Sequence, residues 1–373
     1  MPVKGEQQTA PADWRHLVAH CLYQTGLLRV LQAASRHYEY ASDNGGGERL
    51  RRIRKPKYVV LGYHSVGEQG FPLYCRLPKS VFAGQMRHLK RHYRIVSLRQ
   101  MIEELQEPNT QDQGVAVTFD DGYLGTYTEA FPVLKEYAIP ATVYLTTGPV
   151  ESGEVPWYDG IFLRFQRASA EVNVTLDTDR RFHLTDFVSR VEAATTVVMY
   201  LRTLPDEERR QWCASFEKAV TAPHSELRGS MMTWDHAREM SRAGVTFGCH
   251  TMTHPVLSRL AADAVKQEIT ESKRLIENRL DTVVEDFAFP FGKPRDCGTI
   301  GAQMLSAEGF RTAMTTILGV NEPATDRFRL RRMVQGDERS LAMFAWRLQR
   351  SFFHPVDEEL GLALTPSGHS GQR

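Results

Sequence analysis

Apolar residues along the chain follow two alternating spacings, which predict strands and helices in succession. Short runs of β-branched and aromatic residues have the length of strands, and between them apolar positions recur every three or four residues, as on one face of a helix. The predicted strands are Tyr58–Tyr63, Val115–Phe119, Ala141–Leu145, Val245–Cys249 and Asp286–Phe289. Strands that alternate with helices predict an α/β fold with a parallel sheet. The spacing alone does not separate a closed barrel from an open sheet.

This alternation is interrupted between about residues 160 and 228, which contain a Thr/Asp-rich stretch and two helical patterns. We interpret the region as a helical insertion into the α/β domain, which is predicted to span residues 56–355. Residues 1–55 precede the domain as an amphipathic helix and a basic linker. Residues 356–373 are rich in small and polar side chains, which are typical of a flexible tail.

The predicted N-terminal helix places apolar side chains, from Trp14 to Leu31, at helical spacing on one face. Two roles are open for it. The helix could pack on the body of the protein. Alternatively, it could lie on a membrane surface, assisted by the basic run between Arg49 and Lys57, although such a run is more often a solvated linker.

Composition narrows the classes of function. With 42% hydrophobic and 24% charged residues, the chain of 373 residues is typical of a globular protein that buries a large core. Its net charge of +1 gives no general attraction for nucleic acid, which is not expected as a partner. The five cysteines include no CxxC pair, and the first residues lack the apolar core of a signal peptide. These features predict a cytoplasmic protein.

Three short segments place polar or irregular residues directly after apolar strands, at the sheet edge where α/β proteins build their sites. In Thr118–Gly122, two adjacent carboxylates suggest one cation ligand and one base, although Asp-Asp-Gly could also cap a helix. In His250–His254, two histidines four residues apart are predicted to face one side of a helical turn and to share a metal ion. The turn Phe289–Gly292 could aim the N–H of Phe291 at an oxyanion, or could simply end a strand.

Together, one Asp and two His give a mononuclear metal site with open positions for water and substrate, and the second Asp is a suitable general base. In this order the three segments resemble the polysaccharide deacetylase (NodB-homology) family, over roughly residues 57–335. The resemblance implies a distorted (β/α) barrel and one divalent metal ion per chain, with zinc as the expected ion. By position in the motifs, Asp121, His250 and His254 correspond to the metal ligands. Asp120 corresponds to the base.

The opening Gly62–Val66 resembles a branch of the family that includes deacetylases of biofilm poly-N-acetylglucosamine. Two departures from the family pattern stand out. Ala288 occupies the position where the family often carries an Arg that orients the base, and the late Leu-x-His that supplies the general acid is missing. His64, at the end of the first strand, is therefore expected to protonate the leaving amine. The alternative is a buried histidine bonded to a backbone carbonyl.

Three residues are predicted to contact the sugar. Trp157 and Asp159 lie just ahead of the insertion, and Pro290 lies in the third motif. A flat aromatic ring such as that of Trp157 stacks well on a pyranose face. A packing role is the alternative for Trp157 and its neighbours.

The sequence thus predicts metal-dependent hydrolysis of the N-acetyl group of an aminosugar, in a polysaccharide or its lipid-linked precursor, within exopolysaccharide biosynthesis. The expected partner is an N-acetylated carbohydrate. Because no signal peptide is evident, the lipid-linked substrate would be met at the inner membrane, with peripheral contact through the N-terminal helix. The alternatives are removal of another N-acyl group, or a non-catalytic glycan-binding member that lacks the family Arg and His.

Overall fold

A computed structural model of the chain describes residues 19, 22–25, 56–68, 76–107, 113–220, 228–298, 301–336 and 339–353. The strands are β1 (Lys57–Tyr63), β2 (Ser65–Val66), β3 (Arg76–Leu77), β4 (Gln113–Phe119), β5 (Ala141–Leu145), β6 (Glu171–Thr175), β7 (Asp179–His183), β8 (Thr246–Cys249), β9 (Asp286–Ala288), β10 (Thr312–Met314) and β11 (Met333–Val334). Seven of them form one sheet in the order β10-β9-β8-β5-β4-β1-β11. Every pair of neighbours in this sheet is parallel.

The two edges of this sheet meet through residues 330–334. Leu330 forms a parallel bridge with Met314 in β10, and Met333 pairs with Leu61 in β1. The sheet therefore closes on itself, which the spacing of the sequence could not decide. The prediction of a distorted (β/α) barrel is confirmed.

Alternating side chains along the strands divide the core into two layers. One set of strand side chains, including Tyr58, Val60 and Tyr144, forms a cluster with residues from the opposite strands, and so fills the barrel. The intervening set, including Val59 and Leu61, packs under the surrounding helices. Apolar side chains on both faces explain why these strands read as continuous hydrophobic runs in the sequence.

The helices are α1 (Lys79–His92), α2 (Leu98–Gln106), α3 (Phe131–Tyr137), α4 (Thr147–Ser152), α5 (Trp157–Arg167), α6 (Phe187–Leu201), α7 (Asp206–Ala219), α8 (Trp234–Arg242), α9 (Ala262–Leu280), α10 (Pro294–Cys297), α11 (Gly301–Ala307) and α12 (Leu341–Phe353). A π-helical turn, Thr126–Ala130, leads into α3. In α1 the buried residues Phe82, Met86 and Leu89 recur at the spacing of one helix face. Among the described residues, none of the helices has the length and apolar character needed to cross a membrane.

Between β5 and β8, the chain leaves the barrel sheet and forms α5, the antiparallel pair β6–β7, α6 and α7. These elements share a hydrophobic cluster of their own. The prediction of a helical insertion is incomplete, because the Thr/Asp-rich stretch forms the β6–β7 hairpin. In Glu171–Thr175 the alternate residues Val172 and Val174 are buried between exposed polar ones, which is the period of a strand rather than of a helix.

Most of the N-terminal region 1–55, and the tail 356–373, lie outside the described residues. The amphipathic helix and the flexible tail therefore stay predictions. Within the N-terminal region, residues 22–24 are helical, and the ring of Tyr23 lies 5.8 Å from that of His88 on α1. This short stretch contacts the body of the protein.

Candidate active site

The predicted site residues converge at the carboxyl end of the barrel strands. Asp120 and Asp121 follow β4, while His64 follows β1 and His250 follows β8. The turn after β4 requires unusual backbone angles, with φ of 71° at Asp121 and 89° at Gly122. A Cβ atom on Gly122 would also approach a side-chain atom of β5 to 2.8 Å, so glycine is needed there for both conformation and space.

Asp121, His250 and His254 form a compact buried cluster, in which one potential ligand atom from each residue lies within 4.8 Å of the others. The Nε2 atoms of His250 and His254 lie 3.7 and 3.5 Å from Oδ1 of Asp121. Those distances are long for hydrogen bonds. They are close to the separation of about 3.3 Å that two ligands have in a tetrahedral zinc site with bonds near 2.0–2.1 Å. The three side chains therefore fit a bound metal ion.

The protonation of His250 also suits a metal ligand. Its Nδ1 lies 2.7 Å from the carbonyl oxygen of Ala288. A carbonyl only accepts, so Nδ1 carries the proton and Nε2 presents a lone pair toward Asp121. Burial lowers the pKa of His250 to about 4, and burial also lowers the pKa of His254, with the charge of His250 acting in the same direction. Both imidazoles are neutral at neutral pH.

The segment His250–His254 is not a helical turn, and the prediction of helical geometry for it was wrong. Thr251 and His254 have φ of 69° and 56°, which folds the backbone back on itself and lets the two rings meet. Glu268 on α9 holds this loop, because it accepts hydrogen bonds from the N–H groups of Met252 (2.8 Å) and Thr253 (2.9 Å). The carboxylate of Glu268 thus accepts hydrogen bonds from backbone N–H groups that would bond to backbone carbonyl oxygens in a helix.

Asp120 is paired with Arg332, an arginine that lies outside the three sequence motifs. Nη1 of Arg332 donates to Oδ1 of Asp120 at 2.7 Å, and Nε of Arg332 donates to the carbonyl oxygen of Thr315 at 2.9 Å. Arg332 is fully buried and reaches the site from the segment that closes the barrel. Ala288, where the family often carries its Arg, lies inside the barrel. The cation beside the base comes instead from the residue that precedes β11.

The two neighbouring carboxyl groups differ in their electrostatics. Burial alone would raise the pKa of Asp120, but the charge of Arg332 and its hydrogen bond, with His250 and His64, lower that pKa to about 2. Burial raises the pKa of Asp121 well above its usual value, and the charges of Asp120 and Asp159 raise it further. A negative charge on Asp121 therefore needs a cation, which the neutral histidines do not supply.

His64 lies at the same edge of the barrel, half-buried. Its backbone carbonyl accepts a hydrogen bond from Thr126 (3.2 Å), whereas its Nδ1 has no hydrogen-bond partner among the described residues. Burial lowers the pKa of His64, the charge of Asp120 opposes that shift, and Arg332 adds to it. The role of His64 as the acid stays a prediction.

A wall of aromatic rings borders the Asp-His-His cluster. The rings of Phe291 and Tyr158 lie 4.7 and 4.9 Å from that of His254, and Nε1 of Trp157 donates to the carbonyl oxygen of His254 at 3.1 Å. Tyr158, which lies between the predicted sugar contacts Trp157 and Asp159, also hydrogen-bonds Asp121. Phe291 has φ of 59°, so the predicted turn carries a strained backbone.

The other predicted sugar contacts are buried. Asp159 is fully buried; its Oδ2 accepts from the Tyr123 hydroxyl at 2.6 Å, and its Oδ1 has no partner among the described residues. Burial raises the pKa of Asp159 to about 7. Pro290 is also buried, and its carbonyl accepts from Gly292 at 2.6 Å. Contact between these residues and a sugar stays a prediction.

Comparison with known proteins identifies the family. A family model described as polysaccharide deacetylase matches residues 107–304, more than half of the 373 residues. The chain belongs to the polysaccharide deacetylase family. The match includes the three motif segments and the insertion, and it confirms the resemblance found in the sequence.

Curated relatives match over shorter stretches. A poly-beta-1,6-N-acetyl-D-glucosamine N-deacetylase of Staphylococcus aureus (strain MSSA476) is 33% identical over 128 residues, 31% of this chain and 44% of that protein. The enzyme of the same name from Staphylococcus epidermidis is 36% identical over 72 residues, 19% of this chain and 25% of that protein. The chain thus spans less than half the length of these relatives.

Solved structures of deacetylases share the fold. Streptococcus pyogenes deacetylase PplD, solved in complex with acetate, superposes with a TM-score of 0.53 at 18% identity, over 80% of this chain and 98% of that one. IcaB from Ammonifex degensii gives a TM-score of 0.50 at 20% identity, over 79% of this chain and 98% of that one. At these identities the likeness shows a common fold and does not identify the substrate of this chain.

Proposed function

We propose that this protein is a metal-dependent carbohydrate N-deacetylase, which hydrolyses the N-acetyl group of an aminosugar and releases acetate. One observation carries the proposal: a buried carboxylate held ionised by an arginine, Asp120, adjoins a buried Asp-His-His cluster. A proton acceptor beside a metal site is the arrangement that hydrolysis by activated water requires. Family membership supports the same chemistry.

Asp121, His250 and His254 would hold the ion, and zinc suits their donor set of two imidazoles and one carboxylate. When bound, the ion supplies Lewis acidity toward a water molecule and a carbonyl oxygen. Asp120 takes the proton of the attacking water, on the oxygen that Arg332 leaves free. The Phe291 N–H stabilises negative charge on the amide oxygen. His64 delivers a proton to the departing nitrogen, so that the products are acetate and a free amine.

The substrate we propose is an N-acetylglucosamine-type sugar, in a polysaccharide or in its lipid-linked precursor. The names of the staphylococcal relatives support the sugar. We further propose that Trp157, Asp159 and Pro290 contact the sugar, and that the protein acts in the cytoplasm within exopolysaccharide biosynthesis. Peripheral membrane contact through the N-terminal helix belongs to the lipid-linked form of the proposal.

The experiment compares acetate release from N-acetylglucosamine oligomers and from a lipid-linked N-acetyl sugar, with the metal-loaded protein and the chelated protein. Metal-dependent release supports the proposal, and the preferred substrate distinguishes polymer from lipid. No acetate release from either substrate, together with amine release from a sugar that carries a different N-acyl group, would indicate that other acyl group. Flotation of the full-length chain with anionic vesicles tests the membrane contact, and a protein that stays at the bottom of the gradient would refute it.

The alternative is a non-catalytic glycan-binding role, which the absence of the family Arg and the late His from their usual positions suggests. Arg332 weakens that alternative, since it makes the ion pair with Asp120 that the missing Arg would make. A binder would retain affinity for the glycan and release no acetate under any metal condition.

A further inference from the structure

The insertion between β5 and β8 reaches the site through two arginines, each stacked on an aromatic residue of the wall. The guanidinium of Arg202, after α6, lies 4.0 Å above the ring of Phe291. The guanidinium of Arg209, on α7, lies 4.6 Å from the ring of Trp157. Both rings adjoin His254 in turn, one by edge-on contact and one by a hydrogen bond. The insertion is therefore joined to the site by specific contacts.

Arg202 contacts the third-motif turn and also the short helix α10 that follows it. Beyond its contact with Phe291, its Nη2 donates to Oδ2 of Asp296 on α10 at 2.9 Å. The side chains of Arg202 and Asp296 are 14% and 6% exposed, so this ion pair is screened only weakly by solvent. A guanidinium with an ion pair on one side and a ring beneath it has a fixed position, unlike a solvated surface arginine.

The turn needs such a contact because its backbone is strained. A non-glycine residue with φ of 59°, such as Phe291, persists only when its surroundings hold it there. Thr316 holds one side, since its hydroxyl donates to the Phe291 carbonyl at 2.8 Å. The ring of His254 contacts the ring of Phe291 on a second side. Arg202, which belongs to the insertion, covers the Phe291 ring on a third side. The direction of the Phe291 N–H depends on this conformation.

We propose that Arg202 is a positioning residue, which holds Phe291 in its left-handed conformation and so aims the Phe291 N–H at the amide oxygen. The inference rests on the proposed function. It gives the insertion a part in the reaction, because the residue that fixes the oxyanion donor belongs to an element outside the barrel. A donor of this kind acts mainly in the transition state, so its misdirection lowers kcat more than it changes KM.

The test uses Arg202→Met, which keeps an unbranched apolar side chain and removes the guanidinium with its charge. We expect kcat to fall by about 10-fold to 100-fold, as for other residues that orient a site from its outer shell, with KM and metal content unchanged. Arg202→Lys, which keeps the cation, should recover part of the loss. Lys218→Met removes an exposed cation from α7 of the same insertion and should retain full activity.

A crystal structure of metal-free Arg202→Met gives a readout independent of activity, and Phe291 should leave the left-handed region. An unchanged φ at Phe291, or an unchanged kcat in the folded variant, would overturn the inference. If Arg202→Met does not fold, Asp296→Asn tests the same contact, because it weakens the ion pair that fixes Arg202. Its kcat and the φ of Phe291 are measured in the same way, and an unchanged value of either would overturn the inference. If the wild-type protein releases no acetate, the proposed function fails, and the crystal structure alone decides this inference.

Discussion

The site has two sides, each built around one of the adjacent residues Asp120 and Asp121, and the two sides differ in whether the protein supplies a positive charge. On one side, Asp121 lies with two neutral histidines in a buried cluster that contains no cation of the protein's own. On the other side, the negative charge of Asp120 is balanced by Arg332, with which Asp120 forms a buried ion pair at 2.7 Å. Both carboxyl groups are nearly inaccessible to solvent, at 3% and 2% exposure. Burial therefore does not explain the difference between them.

The difference lies in where each carboxylate finds its positive charge. An isolated buried carboxylate is costly, so the Asp121 side is stable in its ionised form only when a cation occupies it. On the Asp120 side, Arg332 supplies the positive charge, so Asp120 stays ionised without a bound metal ion. We infer that the first side binds the metal and the second moves the proton. The variants below are ordered from the largest expected effect to the smallest.

The largest effect is expected from His250→Ala, which removes one proposed metal ligand and leaves the Asp120–Arg332 ion pair in place. With one of three protein ligands gone, the protein should lose its metal, and activity should fall to the background rate. Metal content by mass spectrometry and acetate release measure the two quantities. A variant that retains both would exclude His250 as a ligand. A Cys249→Ala control should retain both, because Cys249 lies in the hydrophobic core and does not belong to the Asp-His-His cluster.

His64→Gln should have the next largest effect, because it removes the proposed proton donor and leaves both carboxylates in place. We expect a fall in kcat of about 10²-fold, the lower end for general acid catalysis. Metal content should not change. A substrate with a better leaving group than a sugar amine, such as an N-acetyl anilide, should lose less rate. An equal loss with both substrates would contradict the role of His64 as the acid.

Arg332→Met should have a smaller effect, which we expect to be a loss of about 10-fold to 100-fold in kcat. Arg332 lowers the pKa of Asp120 to about 2, against the effect of burial, so the pKa should rise in the variant. The ionised fraction of the base then falls as the pH is lowered through that raised pKa. The acid limb of the pH–rate profile should move to higher pH, and the loss should be greatest in acid. An unmoved acid limb would contradict the assignment.

A second substitution sharpens the same prediction. Ala288 occupies the position where the family often carries its arginine, and it lies inside the barrel with Tyr144. In the Arg332→Met background, Ala288→Arg should restore part of the activity and return the acid limb toward lower pH. No recovery in a folded double variant would mean that the two positions are not equivalent.

The sequence predicted those parts of the site that depend on short segments. Asp120, Asp121 and the His250–His254 pair each follow a strand, so strand prediction was sufficient to place them at one edge. Arg332 was missed because it is 212 residues from Asp120 and follows no predicted strand. It also lies outside the residues that match the family. Only the closure of the barrel brings it to the base.

Local spacing also misled the prediction in places. A four-residue interval suggested a helical turn for His250–His254, but Glu268 stabilises an irregular loop there through side-chain contacts with no local signal. The hairpin β6–β7 was missed because its short alternation stands among stronger helical patterns. By contrast, the apolar run Ala141–Leu145 was predicted with the bounds that β5 has. Continuous apolar strands were thus predicted best.

The most direct test of the division between the two sides is one measurement on a matched pair, Asp120→Asn and Asp121→Asn, in which bound metal and acetate release are determined together. The two substitutions are isosteric and adjacent. We predict that Asp120→Asn retains its metal and loses about 10²–10⁴-fold in rate, as expected for a general base. Asp121→Asn should lose both metal and activity. An Asp120→Asn protein that turns over at the wild-type rate, or that loses its metal as Asp121→Asn does, would contradict the account.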